Sequence, residues 1–292
     1  MASSQKSKDI MSLIQSMTLF HSPMIKVVFS HRECVNEVID IILGRHIHID
    51  EHHVEYYMSN IKGREARFDI YVKSEKIRIN VEIQRDDNGA HPKRGRLNLC
   101  LIDTQEIKKS SQYEEAPESY MIFICERDYF KKGLPMYHVH SYIDETKDKV
   151  DTGQEMIYVS GDYQDRETAL GRLIHDFHCV DPSDMYSEVL KRWMKYYKQD
   201  KGGIGKMCEI CEQLKEMGRV EGREEGKVEG KIEGKMETMK ETAINLLVKK
   251  LGYLSRNILI KIKGSNENEL NELIIHIFDI EKEEDILKYV LN

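Results

Sequence analysis

Apolar positions in the first two-thirds of the chain follow two rhythms, one helical and one strand-like. Over 24–43, Ile25, Val28 and Phe29 lead into Val35, Val38, Ile39, Ile42 and Leu43, the spacing of a helix face, and Gly44 supplies a stop. Residues 9–20 read as a helical lead-in. His46-Ile47-His48-Ile49 alternates with period two and predicts a first strand. Residues 67–72 and 77–84 alternate more strictly and predict an antiparallel hairpin. A basic loop and a helix over 93–110 follow, with Leu97, Leu101, Ile102 and Ile107 at helical intervals. The unbroken apolar run 119–125 fits a strand in the middle of a sheet. Residues 137–143 and 156–160 predict further strands, and 166–178 and 183–199 predict helices. The order helix, strand, strand, strand, helix, strand is that of an α/β core.

The hairpin carries the chemistry. Side chains on a strand alternate between faces, so Phe68, Ile70 and Val72 share one side, opposite Arg67, Asp69 and Tyr71. On the next strand Ile77, Ile79, Val81 and Ile83 lie opposite Arg78, Asn80, Glu82 and Gln84. A register that joins the two apolar rows also sets Asp69 beside Glu82 and Gln84, and a one-residue slip would bury the acids. Pairing Asp69 with Glu82 leaves a tight turn at Glu75-Lys76 and Cβ atoms about 4.5–5.5 Å apart. Carboxylates that close repel unless a cation sits between them. Mg²⁺ or Mn²⁺ suits an all-oxygen donor set, to which the Ile83 carbonyl adds one ligand. Such an ion polarises a phosphoryl oxygen and activates water, which Gln84 is placed to orient. By spacing alone, a solvated hairpin face that carries two acids and an amide explains the pattern equally well.

Arg85, His91, Lys93, Arg94 and Arg96 follow this strand directly and are candidates to hold phosphate oxygens, against the alternative of a solvated loop and helix start. Glu37, with Glu33 behind it, is the candidate acid from the first helix. His46, His48, His52 and His53 invite a zinc reading, but no further ligand is spaced to complete a tetrahedral site. His175 and His178 bracket Asp176 on a predicted helix, where packing is the better account.

The segment Arg67-Phe68-Asp69-Ile70-Tyr71, with Asn80-Val81-Glu82-Ile83-Gln84-Arg85, resembles the signature of the PD-(D/E)xK nuclease family transposases, relatives of the Rpn-like recombination-promoting nucleases. The likeness continues through 120–124, 133–138 and 175–179 with Asp184-Met185, and takes in the Glu-Gly repeats of the tail. It implies a restriction-endonuclease-like core and Mg²⁺-dependent DNA endonuclease activity linked to transposition or recombination. It assigns Asp69 and Glu82 to the metal, and Gln84 to the place where lysine stands in the wider superfamily. Two departures bear on activity. Gln84 is neutral, so positive charge must come from Lys93, Arg94 or Arg96. Where relatives carry an Arg-Tyr-Tyr or Arg-Tyr-His run, this chain reads Arg96-Leu97-Asn98.

The tail differs in kind. Gly218, Gly222, Gly226, Gly230 and Gly234 recur every fourth residue, with Glu221, Glu225, Glu229 and Glu233 in step. Interior glycines cost about 1 kcal/mol each in a helix and like charges at i,i+4 add a penalty, so in isolation the repeat is expected to be a weak helix or connector. The division expected is a nuclease-like domain at 1–200, the charged repeat at 201–236, and a small helical module at 237–292. The tail is also the candidate for homo-oligomer formation.

A net charge of -7 argues against non-specific coating of nucleic acid, so any DNA contact must come from a local basic patch. No signal-peptide or membrane-span pattern is present, and the six scattered cysteines fit reduced thiols, so a soluble cytoplasmic protein is expected. The competing account is a catalytically inactive relative that binds nucleic acid or a protein partner.

Overall fold

The computed structural model describes residues 2–58, 66–85, 87–107 and 112–290. Three helices come first: α1 (Ala2–Ser16), α2 (Ser22–Val28) and α3 (Arg32–Leu43). The helical apolar series over 24–43 is thus split between two helices, with α3 ended by Gly44 in the left-handed region at φ 65°. Strands β1 (Glu51–Met58), β2 (Ala66–Lys73) and β3 (Ile77–Gln84) follow, then α4 (Pro92–Glu106) and β4 (Glu118–Cys125). Next come β5 (Met136–Val139), β6 (Ser141–Tyr142), β7 (Lys149–Val150) and β8 (Gln154–Ser160). Two further helices, α5 (Ala169–His178) and α6 (Glu188–Gln199), are capped by the Thr168 and Ser187 side chains.

Six strands form one mixed sheet in the order β1-β2-β3-β4-β8-β5. The β2–β3 hairpin is antiparallel, while β3, β4 and β8 run parallel, so α4 is the crossover between β3 and β4. Ile70, Val72, Ile79, Val81, Ile83, Ile122 and Ile124 face a core shared with α2, α3, α5 and α6. Met121, Phe123 and Tyr158 face the opposite side, together with Ala90 and with Leu99 of α4. This mixed α/β architecture is consistent with the core that the resemblance to PD-(D/E)xK nucleases implies.

Two expectations are corrected. The first strand is not His46–Ile49 but Glu51–Met58. Ile47 and Ile49 are buried because a loop tucks them under α3, where Asp40 Oδ1 accepts from the Ile47 amide at 2.9 Å and Asn36 Nδ2 donates to the Ile47 carbonyl at 2.8 Å. The true β1 is a half-exposed edge strand with no strict alternation, so it left little hydrophobic signal. The second correction concerns Phe68, which packs with Tyr71, Leu101 and Ile102 rather than with Ile70 and Val72. The β1–β2 ladder steps from Val54↔Ile70 to Tyr56↔Phe68, and Glu55, opposite Asp69, has a left-handed backbone at φ 54°. This local break turns the strand between Phe68 and Ile70. Residues 108–110 of the expected 93–110 helix lie outside the described residues.

The chain divides into compact units at 1–212 and 213–292. A single helix, α7 (Lys201–Leu251), runs through the glycine repeat. It is followed by α8 (Arg256–Gly264), α9 (Glu267–Ile275) and α10 (Glu283–Ile286). Within the second unit, Ala243 and Leu247 of α7 bury against Ile258, Ile262, Leu270, Leu273 and Ile286. Among the described residues no helix is long and apolar enough to cross a membrane.

Candidate active site

The hairpin register observed is the one its apolar rows require. Ile70 pairs with Val81 and Tyr71 with Asn80, and Ser74 N donates to Ile77 O at 2.9 Å across a two-residue turn at Glu75-Lys76. Extended by one step, this register sets Asp69 across from Glu82. The Asp69 carboxylate then reaches over the backbone, where its Oδ2 accepts from the Ile83 amide at 2.9 Å.

Glu82 is fully buried, a costly place for a charge. Every polar neighbour named here donates to it. Asn80 Nδ2 donates to Oε1 at 3.3 Å, Gln84 Nε2 donates to Oε2 at 3.1 Å, and the Arg94 guanidinium forms an ion pair with Oε2. Arg94 is steadied by its second nitrogen, which donates to Gly89 O at 2.9 Å. Burial pushes the Glu82 carboxyl up to about 8, with the neighbouring Asp69 adding to the rise and Arg94 opposing it. Burial likewise raises Asp69, against the Ile83 amide and the charge of Arg94.

Two glycines make this geometry accessible. Gly95 lets α4 lie tight on the sheet, because a Cβ there would stand 2.7 Å from Met156 Sδ and 3.1 Å from Phe123 Cε2. Its neighbour Arg94 is thereby brought down to Glu82. Gly89 passes so close to Gln84 that a Cβ would overlap the amide oxygen at 1.8 Å. His91 starts the helix, its Nδ1 accepting from the Lys93 amide at 3.1 Å.

The other candidates distribute unevenly. Lys93 and Arg96 are exposed on the first turns of α4, and Arg85 lies at the end of β3 with Nε 3.6 Å from Glu126. Glu37 is not part of the acid pair: its Oε2 accepts from Ser187 Oγ at 2.7 Å, and it lines a small hollow with Arg172 and Tyr186. Since α3 packs on the sheet face opposite α4, its side chain faces away from Glu82. Glu33 bonds to Arg192 and Trp193. The four early histidines do not assemble; His46 bonds Asp40, and His52 contacts Ser30 O.

Asn80 and Glu55 escaped attention as site residues. Asn80 shares strand parity with Glu82 and Gln84, a signal present in the sequence. Glu55 lies on the strand whose position the sequence pattern missed, and it now neighbours Asp69 as a like charge while pairing with Lys26 at 2.6 Å.

A divalent cation fits this donor set on the structure's own terms. Two adjoining carboxyls are both destabilised as anions by burial, and Asn80 Oδ1 is buried with no hydrogen-bond partner. A hard ion among them would offset the repulsion and supply the missing contact.

No curated protein and no solved structure gives a match to the chain. Residues 32–160 match the family profile described as PD-(D/E)XK nuclease family transposase, and both acids and Arg94 lie inside the matched segment.

Proposed function

We propose that the chain is a DNA endonuclease that hydrolyses phosphodiester bonds at Asp69 and Glu82 with Mg²⁺ or Mn²⁺, in the service of transposition or recombination. The observation that carries this reading is the buried acid pair, with raised pKa values, inside the family-matched segment. Asp69, Glu82 and the Ile83 carbonyl would hold the ion. When bound, it supplies charge neutralisation, polarisation of a phosphoryl oxygen and a more acidic water. The protein's own groups fix the acids: the Ile83 amide orients Asp69, while Asn80 and Gln84 orient Glu82. With a neutral residue at 84, Arg94 would provide the positive charge beside the pair that phosphate oxygens require. Exposed Arg85, Lys93 and Arg96 would contact flanking phosphates.

The test is plasmid nicking by the full chain with Mg²⁺, with Mn²⁺ and with chelator. Cleavage should need the cation and vanish in Asp69→Asn and Glu82→Gln, with the folded circular-dichroism spectrum kept. Salt-sensitive DNA binding that both variants retain, with no cleavage by the parent, would instead assign the fold to a silent binding module. That rival draws support from Glu82, whose oxygens are already engaged by Asn80, Gln84 and Arg94. Self-association through the glycine-bearing stretch of α7 is proposed alongside; an unchanged oligomeric mass on truncation near Lys215 would refute it.

A further inference from the structure

We propose that His138, His140 and Glu155 form a second metal site, suited to a borderline transition ion such as Zn²⁺ and independent of the acid pair. His138 and His140 lie two residues apart at the end of β5, so their side chains leave the same face. β5 pairs with β8 through Val139↔Met156, and one further step sets His140 across from Glu155, with His138 on the diagonal. The contacts follow: His138 Nδ1 lies 2.5 Å from Glu155 Oε1, and His140 Nε2 lies 3.5 Å from the same oxygen. The two rings are nearly parallel, 14° apart, with centroids at 6.1 Å. All three ligand atoms fall within 4.8 Å of one another.

A tetrahedral zinc with ligands at about 2.0–2.1 Å needs ligand atoms roughly 3.3 Å apart. His140 and Glu155 already meet that spacing. His138 must withdraw by under about 1 Å, and its exposed side chain is free to do so. Two imidazoles and one carboxylate select zinc, cobalt or nickel over magnesium or calcium, and they leave a coordination position open to solvent. In the metal-free chain a cation already sits beside the cluster: Lys149 Nζ lies 3.3 Å from His140 Nε2, and it must move aside for the ion. The site would tie the edge strand β5 to β8 and steady the β6–β7 hairpin that follows it.

A second cluster, His175, Asp176 and Cys179, has the right residue types but no free acid. Asp176 accepts from the Tyr186 amide at 2.8 Å and the Ser187 amide at 2.7 Å, so it serves as a buried cap for the turn before α6. This difference makes the experiment decisive, because only that cluster contains a thiol.

The full chain, stripped with chelator, is titrated with Co²⁺ and followed by visible absorption, then with Zn²⁺ in competition with a chromophoric chelator. The parent should bind one equivalent that the His138→Ala/His140→Ala double variant lacks, with ligand-field bands and no thiolate-to-cobalt charge transfer. Glu155→Gln should weaken binding by about tenfold or more, Lys149→Ala should tighten it, and Asp69→Asn should leave it unchanged. Equal stoichiometry and affinity in the parent and the double variant would overturn the proposal, whether or not a thiolate band accompanies them.

Discussion

Replacing Glu82 by glutamine in the metal-free protein should alter how stability depends on pH more than it alters stability itself. Burial, with the neighbouring Asp69 adding to it, pushes the Glu82 carboxyl up to about 8, against 4.5 for an ordinary glutamate. A group that holds its proton more tightly in the folded state favours folding fully at low pH, and that contribution is lost as pH rises through the folded value. Between about pH 4.5 and about pH 8, the folded chain therefore loses on the order of a few kcal/mol relative to a chain with a neutral side chain at this position. Asp69, raised for the same reason, contributes in the same direction. Glutamine keeps the volume and an oxygen for Arg94 but has no charge to desolvate. The measurement is urea unfolding at several values from about pH 5 to about pH 9 with chelator present. The single tryptophan, Trp193, is stacked on His31 and bonded to Glu33, so its fluorescence reports unfolding of the unit that contains the acid pair. The parent should weaken with rising pH while Glu82→Gln stays much flatter. Parallel profiles would refute the claim that Glu82 carries a raised pKa, and with it the electrostatic case for a cation there.

Further substitutions test the supports of the site and the tail. Gly95→Ala should force α4 away from Met156 and Phe123, draw Arg94 off Glu82 and lower cleavage well beyond its effect on melting temperature; Met156→Ala in the same chain should restore much of the loss by making room. Gly89→Ala should displace the flexible Gln84 amide rather than unfold the protein, costing under about 1 kcal/mol in urea unfolding while weakening Mn²⁺ binding. Changing Gly222, Gly226 and Gly230 to alanine meets open space at each Cβ, so α7 should gain about 1 kcal/mol of helix stability per site, read as raised helicity on heating.

The parts of the fold that a single chain pattern can specify were legible. The β2–β3 register follows from parity and turn length alone, because two apolar rows and a two-residue turn leave one solution. The run 119–125 announced a central strand for the same reason: both of its faces are buried. β1 was hidden because one side of an edge strand needs no apolar row, while the buried Ile47 and Ile49 imitated one from a loop. The break at Asp69 was also invisible, since alternation assumes an unbroken pleat and the left-handed Glu55 that interrupts it lies on the partner strand. Helix α7 illustrates the opposite case. Its glycines and like charges argue against a stable helix, yet the chain is helical throughout, with i,i+3 pairs such as Glu216–Arg219 at 2.6 Å offsetting part of the repulsion.

The most consequential thing the sequence withheld is which of three cations meets Glu82. Lys93, Arg94 and Arg96 stand at similar distances along the chain, and nothing in their spacing separates them. The choice is made by the rotation of α4 about its axis, and that rotation is set by Gly95, the one position where the helix can approach Met121, Phe123 and Met156 without a side chain between them. Arg94 precedes that contact, and it is the residue whose guanidinium reaches Glu82 while Lys93 and Arg96 stay exposed. A lysine at position 84 would deliver charge from the strand itself, fixed by the same pleat that fixes the acids. With glutamine there, the charge arrives from a separate element, and its position depends on how α4 is seated. Electrostatics at the acid pair are therefore coupled to how closely α4 packs on β4 and β8, which is why a methyl group at Gly95 is expected to act on chemistry it never touches.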